Sequence, residues 1–307
     1  MREILVIKLG ALGDFVLAFA PFAALRAAFP HARLTLLTTA PFRDLATRSP
    51  WFDRVLIDER PAWHDLPALT ALRRRLRGYD FVVDLQTSSR SSRYYLLAGR
   101  PDWSGIAQGC SRPHDNPQRD AMHTIARQRD QLLRAGIAPV DRPDLTWLAE
   151  DGPRLDHPYA VLVPGAAPHR PAKRWPVERF ATLAARLDAM GLHPVIAGSA
   201  ADTASAATIR EAVPAALDLT GRTDLPALAG LMARASLAIG NDTGPMHLAA
   251  MMGAPSLSLF SRESDPRLTA PLGHRPGQVR ILRVPDLATL DTTRVEALAR
   301  EMLDRKN

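Results

Sequence analysis

Lysine and cysteine are almost missing from this chain of 307 residues. Only Lys8, Lys173 and Lys306 stand against 36 arginines, so a lysine is the exception wherever it occurs. Cys110 is the single cysteine, which excludes a disulfide framework and a thiolate metal site and fits a reducing cytoplasm. The nine histidines form no H-E-x-x-H, and no two aspartates are spaced Asp-x-Asp. The chain therefore lacks the local patterns that most often announce a catalytic metal, and no metal is expected. G-x-G-x-x-G, the phosphate loop G-x-x-x-x-G-K-[ST] and the serine elbow G-x-S-x-G are absent too. The apolar stretch from Phe15 to Phe29 is broken by Pro21 and Arg26 and is too short to span a bilayer. We expect a soluble protein.

What is present supports a folded core: 46% of residues are hydrophobic and 23% charged, and the length suits two domains. The net charge of +7 is unevenly placed. Residues 60–134 hold 13 arginines and no lysine against seven aspartates, a net of +6. Arg73, Arg74, Arg75 and Arg77 form a cluster, and Arg90, Arg93, Arg100, Arg112, Arg119, Arg127 and Arg129 are scattered after it. Such a stretch implies an anionic partner. It lacks interleaved aromatics and any recognition motif, so nucleic acid is not expected. A phosphorylated or membrane-borne acceptor fits better.

Short apolar runs at 4–9, 33–39, 54–58 and 80–85 alternate with helical patterns, which predicts a parallel sheet covered on both faces. Residues 101–121, rich in Pro, Gly and polar side chains, read as a mobile loop. After a linker at 149–158 the pattern restarts, with strands expected at 159–163, 193–197, 217–219, 236–240 and 255–260. The fold class is α/β, with two Rossmann-like domains at 1–150 and 151–307 and a ligand cleft expected at the carboxyl ends of both sheets. From Thr293 a Thr-x-x-Glu box with Glu296 opens a terminal helix. Its stripe of Val295, Leu298, Ala299, Met302 and Leu303 should pack down.

The stretch 235–253 organises the second half. Leu237 to Ile239 end a strand, Asp242 and Thr243 offer helix-capping oxygens, Gly244 lets a ligand approach the backbone, Pro245 suits the first turn and Gly253 the residue after the helix. His247 lies in that first turn. A strand turning sharply into a helix aims backbone N–H groups at one point, an anion site in prospect; an ordinary capped helix is the alternative. Gly10-x-x-Gly13-Asp14 is a glycine turn ending in an acid, which either caps the next helix or serves as a general base. Pro164-Gly165 follows another strand, and Lys173, kept amid so much arginine, suits a point charge on a phosphate. Asp202, after a further strand, either binds ribose hydroxyls or caps.

Ile4-Leu-Val-Ile-Lys-Leu-Gly-Ala-Leu-Gly-Asp14 with Pro21, Pro164-Gly165 with Lys173-Arg174-Trp175-Pro176, and Gly240-Asn-Asp-Thr-Gly-Pro-Met-His247 occur in an order and spacing that resemble glycosyltransferase family 9, the bacterial lipopolysaccharide heptosyltransferases. The resemblance extends over nearly the whole chain, including Asp80-Phe-Val-Val-Asp-Leu-Gln86. Phe260-Ser-Arg-Glu-Ser-Asp-Pro266 departs from the Phe-Gly-x-Thr-Asp-Pro frequent in that family. The resemblance implies a GT-B fold and metal-independent, inverting transfer of heptose from ADP-heptose, a substrate and not a cofactor, to an inner-core acceptor. Asp14 would be the base, with Lys173 on the phosphates and Asp202 on the ribose. Gly13, Gly165, Asp242, Thr243, Gly244 and His247 would complete the donor site, and Thr223 to Leu225 would lie near the adenine. The acceptor would be lipid-linked, placing a cytoplasmic protein in peripheral contact with the inner membrane. A transferase of the same fold with another NDP-sugar or acceptor, or a non-catalytic nucleotide-sugar-binding protein, is the alternative.

Overall fold

A computed structural model describes residues 2–304, and the chain divides into two compact units between Pro143 and Asp144. The first contains β1 (Glu3–Ile7), α1 (Leu12–Val16), α2 (Phe19–Ala28), β2 (Arg33–Thr38), α3 (Arg43–Arg48), β3 (Arg54–Ile57), α4 (Leu66–Leu76), β4 (Phe81–Asp84), α5 (Ser89–Ala98), β5 (Asp102–Gly105), β6 (Arg112–Pro113) and α6 (Thr124–Arg134). Its strands lie in the order β3-β2-β1-β4-β5-β6, all parallel. Ile4 to Ile7 are wholly buried, because a central parallel strand is covered on both faces.

The second unit contains α7 (Thr146–Ala149), β7 (Tyr159–Val163), α8 (Val177–Asp188), β8 (His193–Ile196), α9 (Thr203–Ala212), β9 (Leu217–Asp218), α10 (Leu225–Arg234), β10 (Leu237–Asn241), α11 (Gly244–Met251), β11 (Ser256–Phe260), α12 (Pro266–Thr269), β12 (Val279–Arg283) and α13 (Thr292–Asp304). Its strand order, β12-β11-β10-β7-β8-β9, is again all parallel. In each sheet the chain works outward from the first strand, returns, and continues on the other side. That reversal falls between β1 and β4 in one unit and between β7 and β10 in the other. Loops leaving the carboxyl ends diverge at such a point and leave room for a ligand.

Several expectations need correction. Residues 101–121 are not simply a mobile loop: β5 pairs with β4, and wholly buried Trp103 anchors it. A strand of four residues reading Asp-Trp-Ser-Gly has too little apolar character to be seen in sequence. β12 is a strand that the apolar pattern does not predict, because Arg280 and Arg283 interrupt this edge strand and deny it the continuous run of the inner strands. Residues 144–149 fall with the second unit, where α7 packs on α10 and Arg234 donates to the carbonyls of Ala149 and Asp151.

The terminal helix packs as its stripe requires, with Val295, Ala299 and Met302 in the core and Leu298 and Leu303 against it. Its start differs from the expected box. Asp291 accepts from the Thr293 amide, and Glu296 instead pairs with Arg186 and Arg300. Two long cations within reach outcompete one backbone N–H for that carboxylate.

Candidate active site

In the first unit the turn after β1 carries Asp14. α1 begins after Ala11, so Asp14 lies in the first helical turn and not at the capping position. Packing fixes this turn. The rings of Phe15 and Phe42 stack 4.5 Å apart at 7°. Phe15 also meets Phe22 edge to face at 5.5 Å, and such pairs contribute about 0.5–1.5 kcal/mol each beyond their burial. Gly10, at φ +120°, passes under the Phe42 ring so closely that a Cβ there would stand 2.8 Å from it. Asp14 is thus a partly exposed carboxylate on a rigidly packed corner.

Around it lies polar machinery that sequence reading did not assign. Lys8, Asp14, Gln86, Thr87, Arg127 and Gln131 are among the residues lining a cavity of about 50 Å³. Lys8 is 3% exposed and its Nζ donates to the Leu85 carbonyl at 3.0 Å. Burial pulls its pKa down to about 8, against the opposing pull of Asp14 and Asp84. Asp84, at the end of β4, is fully buried; one oxygen accepts from the amides of Gln86 and Thr87, both at 3.0 Å. Burial pushes its pKa up to about 6, and those hydrogen bonds and Lys8 only partly offset it. The Gln86 side chain accepts from the Leu9 amide at 2.8 Å, and Gln131 donates to the Asp84 carbonyl at 3.0 Å. Burial and the neighbouring Arg119 lower the Arg127 pKa, while Asp14 raises it. A carboxylate beside two cations on an open corner can accept a proton from a hydroxyl and hold an anionic group next to it. The scarcity of lysine, which singled out Lys173, was equally a signal for Lys8.

In the second unit the ends of β7, β8 and β10 gather Gly165, Asp202 and Asp242. Wholly buried Asn241 ties them: its Nδ2 donates to the Pro164 carbonyl at 2.7 Å, and its Oδ1 accepts from the Trp175 amide at 3.0 Å. Trp175 is itself locked, 4.8 Å from the Phe180 ring and donating through Nε1 to the Leu290 carbonyl at 2.9 Å. Lys173, two residues before it, is thereby presented to β10, where its Nζ meets Asp242 Oδ2 at 2.6 Å. Asp242 therefore does not cap α11, as its position had suggested. A buried carboxylate gains more from a nearby ammonium than from one backbone N–H.

Thr243 holds the N-cap position of α11 without a side-chain capping bond; the Met246 amide donates to its carbonyl at 3.1 Å, and the Gly244 amide at the helix start receives no cap from that side chain. His247 is 7% exposed on the same helix. Gly253 follows it at φ +88°, as expected of the residue after a helix. Asp202 is 7% exposed and accepts from the amide and hydroxyl of Ser199, both at 2.9 Å. Its carboxylate lies against Gly165, where an added Cβ would stand 2.6 Å from both oxygens. So Gly165, Lys173, Asp202, Asp242, Thr243, Gly244 and His247 share one sheet end. Gly13 belongs to the first unit, beside Asp14. A lysine paired with an aspartate, a helix N-terminus and a histidine at one sheet end are groups that can offset the charge of an anion. Among the described residues no three His, Cys, Asp or Glu side chains gather as metal ligands would, and no helix is long and apolar enough to cross a membrane.

The sequence profile described as glycosyltransferase family 9 (heptosyltransferase) matches residues 69–298. The lipooligosaccharide heptosyltransferase 2 of Haemophilus influenzae is 27% identical, over 91% of this chain and 89% of its own. The Escherichia coli ADP-heptose lipopolysaccharide heptosyltransferase II superposes with a TM-score of 0.78 at 24% identity, over 100% of this chain and 99% of that one. The E. coli heptosyltransferase WaaC with ADP gives 0.83 at 21% identity, over 98% and 100%. These neighbours share the GT-B fold of two Rossmann-like sheets, and this chain is a glycosyltransferase of family 9.

Proposed function

We propose that the enzyme transfers a heptose from ADP-heptose to an inner-core lipopolysaccharide acceptor at the cytoplasmic membrane face, with inversion and without a metal ion. The observation that carries this reading is the position of its two key charges: Asp14 and Lys173 each stand where the strand order of a sheet reverses. The names of the relatives support the donor and the acceptor class. Asp14 takes the proton of the acceptor hydroxyl as that oxygen bonds to C1 of the heptose. The bond from C1 to the β-phosphate oxygen breaks on the opposite face, and ADP departs. Lys173, His247 and the first turn of α11 offset the charge growing on the diphosphate. Asp202 serves the ribose, and Thr223 to Leu225 border the adenine. Arg127, which lines the same cavity as Asp14, receives anionic groups of the acceptor.

Calorimetric titration with ADP, UDP and GDP in EDTA tests the donor half. Selective binding of ADP is the expected result, followed by transfer from ADP-heptose to a deacylated inner-core oligosaccharide in the same buffer. Preference for UDP or GDP would replace the donor and keep the fold. Binding of ADP with no transfer to any core acceptor would leave a nucleotide-sugar-binding protein.

A further inference from the structure

α4 and α5 lie side by side in the first unit. At one end the Arg77 guanidinium reaches within 3.7 Å of where a Cβ on Gly99 would stand. At the other end Trp63, just before α4, packs on Tyr94 and has the guanidinium carbons of Arg90 and Arg93 each 5.0 Å from its ring centre. The outward faces of the two helices therefore make one surface. Trp63 is 37% exposed on it, Leu66 70% and Leu96 58%. Helical spacing sets Leu66, Thr70, Arg73 and Arg77 along one stripe, all exposed. Arg93, Leu96 and Arg100 follow one another along α5 and just past its end, again exposed. The only acid from 63 to 77 is Asp65, occupied in capping α4, and there is none from 89 to 100.

We propose that this face seats the enzyme on an anionic phospholipid surface, a proposal that rests on the reading of a lipid-linked acceptor. Arginines at a bilayer pair with lipid phosphates, while tryptophan and leucine leave water at headgroup depth. A nucleic-acid backbone satisfies the arginines but offers nothing to leucines this exposed. A second copy of the chain would set five exposed arginines (Arg73, Arg74, Arg77, Arg93 and Arg100) against five more.

The test is co-sedimentation of the full chain with vesicles of phosphatidylcholine alone and of phosphatidylcholine with phosphatidylglycerol. The assay contains no nucleotide and no sugar acceptor, so its result is independent of whether the chain transfers heptose. Wild type should bind only the anionic vesicles and be released by salt. R73E/R74E/R100E should weaken that binding by at least about tenfold. L66S/L96S, which alters only exposed side chains, should weaken it about fivefold at unchanged charge. Both variants should keep the wild-type circular dichroism and melting temperature. Equal binding to neutral vesicles, no vesicle binding, or either variant binding as wild type does would overturn the proposal. So would duplex DNA competing equally against wild type and L66S/L96S, which would mark a general polyanion patch.

Discussion

Asp14 and Lys173 are the two side chains on which the proposed chemistry turns, and they make opposite demands on their surroundings. Asp14 must remain open to a hydroxyl, and it sits partly exposed on its corner. Removing it should abolish the proton transfer while sparing the nucleotide site in the other unit. D14A and D14N should lower the transfer rate by roughly 10²–10⁴-fold with ADP affinity unchanged, as measured by initial rates and calorimetry. Lys173 instead spends its charge on Asp242 until a diphosphate competes for it. A charge-assisted hydrogen bond contributes about 1.5–3 kcal/mol, so K173A should weaken ADP binding by roughly 10–100-fold and slow transfer as well. Equal ADP affinity in variant and wild type would remove Lys173 from the phosphate site.

At the scale of elements, the first strand and its turn hold the site by packing. A Cβ on Gly10 meets both the Phe42 ring and an unfavourable φ, so G10A has to move α1 or the ring. It should cost about 1–3 kcal/mol in denaturant melts and lower transfer more than ADP binding, because only the corner bearing Asp14 is displaced. β4 ends on Asp84, whose pKa rises from 3.8 to about 6 through burial. Between those values the folded chain holds a proton that the unfolded chain has released, so this group's contribution to stability falls as pH rises. Asparagine keeps the oxygen that accepts from Gln86 and Thr87 and removes the charge. The stability of D84N relative to wild type should therefore rise by roughly 1–3 kcal/mol from pH 4 to pH 6, read from urea melts at each pH. A flat difference across that range would mean that Asp84 titrates normally.

On the scale of the whole molecule, the division at Pro143 and Asp144 separates the proposed duties. ADP contacts are assigned to residues of the second unit alone, apart from Gly13. Saturating ADP should then slow amide exchange at 163–175, 198–203 and 240–247. The core strands β2 and β3 should exchange as they do in the free protein. Ligand at about 100 times its dissociation constant adds about 2.7 kcal/mol to the state it binds, enough to read against the baseline. Protection spread equally over both sheets would place the nucleotide elsewhere.

Much of this architecture was written locally. Runs such as Ile4 to Ile7 and Leu237 to Ile239 mark central parallel strands because a strand buried on both faces admits no polar alternation. The glycine turns marked the corners after β1 and β7, and the kept lysine marked the loop beyond β7. Local pattern could not show partners distant in sequence. Asp242 and Thr243 had the form of capping residues, but Lys173 lies 69 residues from Asp242, and only the β7–β10 pairing brings them to 2.6 Å. Lys8 and Asp84 looked like strand residues until parallel β1 and β4 set them together, with Lys8 also near Asp14. Glu296 read as half of a capping box until Arg186 of α8 reached it. Backbone periodicity and turn chemistry thus determined the inner strands, the helices between them and the corners, since each depends on near neighbours. Tertiary structure decided which charges meet, because charge pairing depends on distance in space and on the water removed by packing.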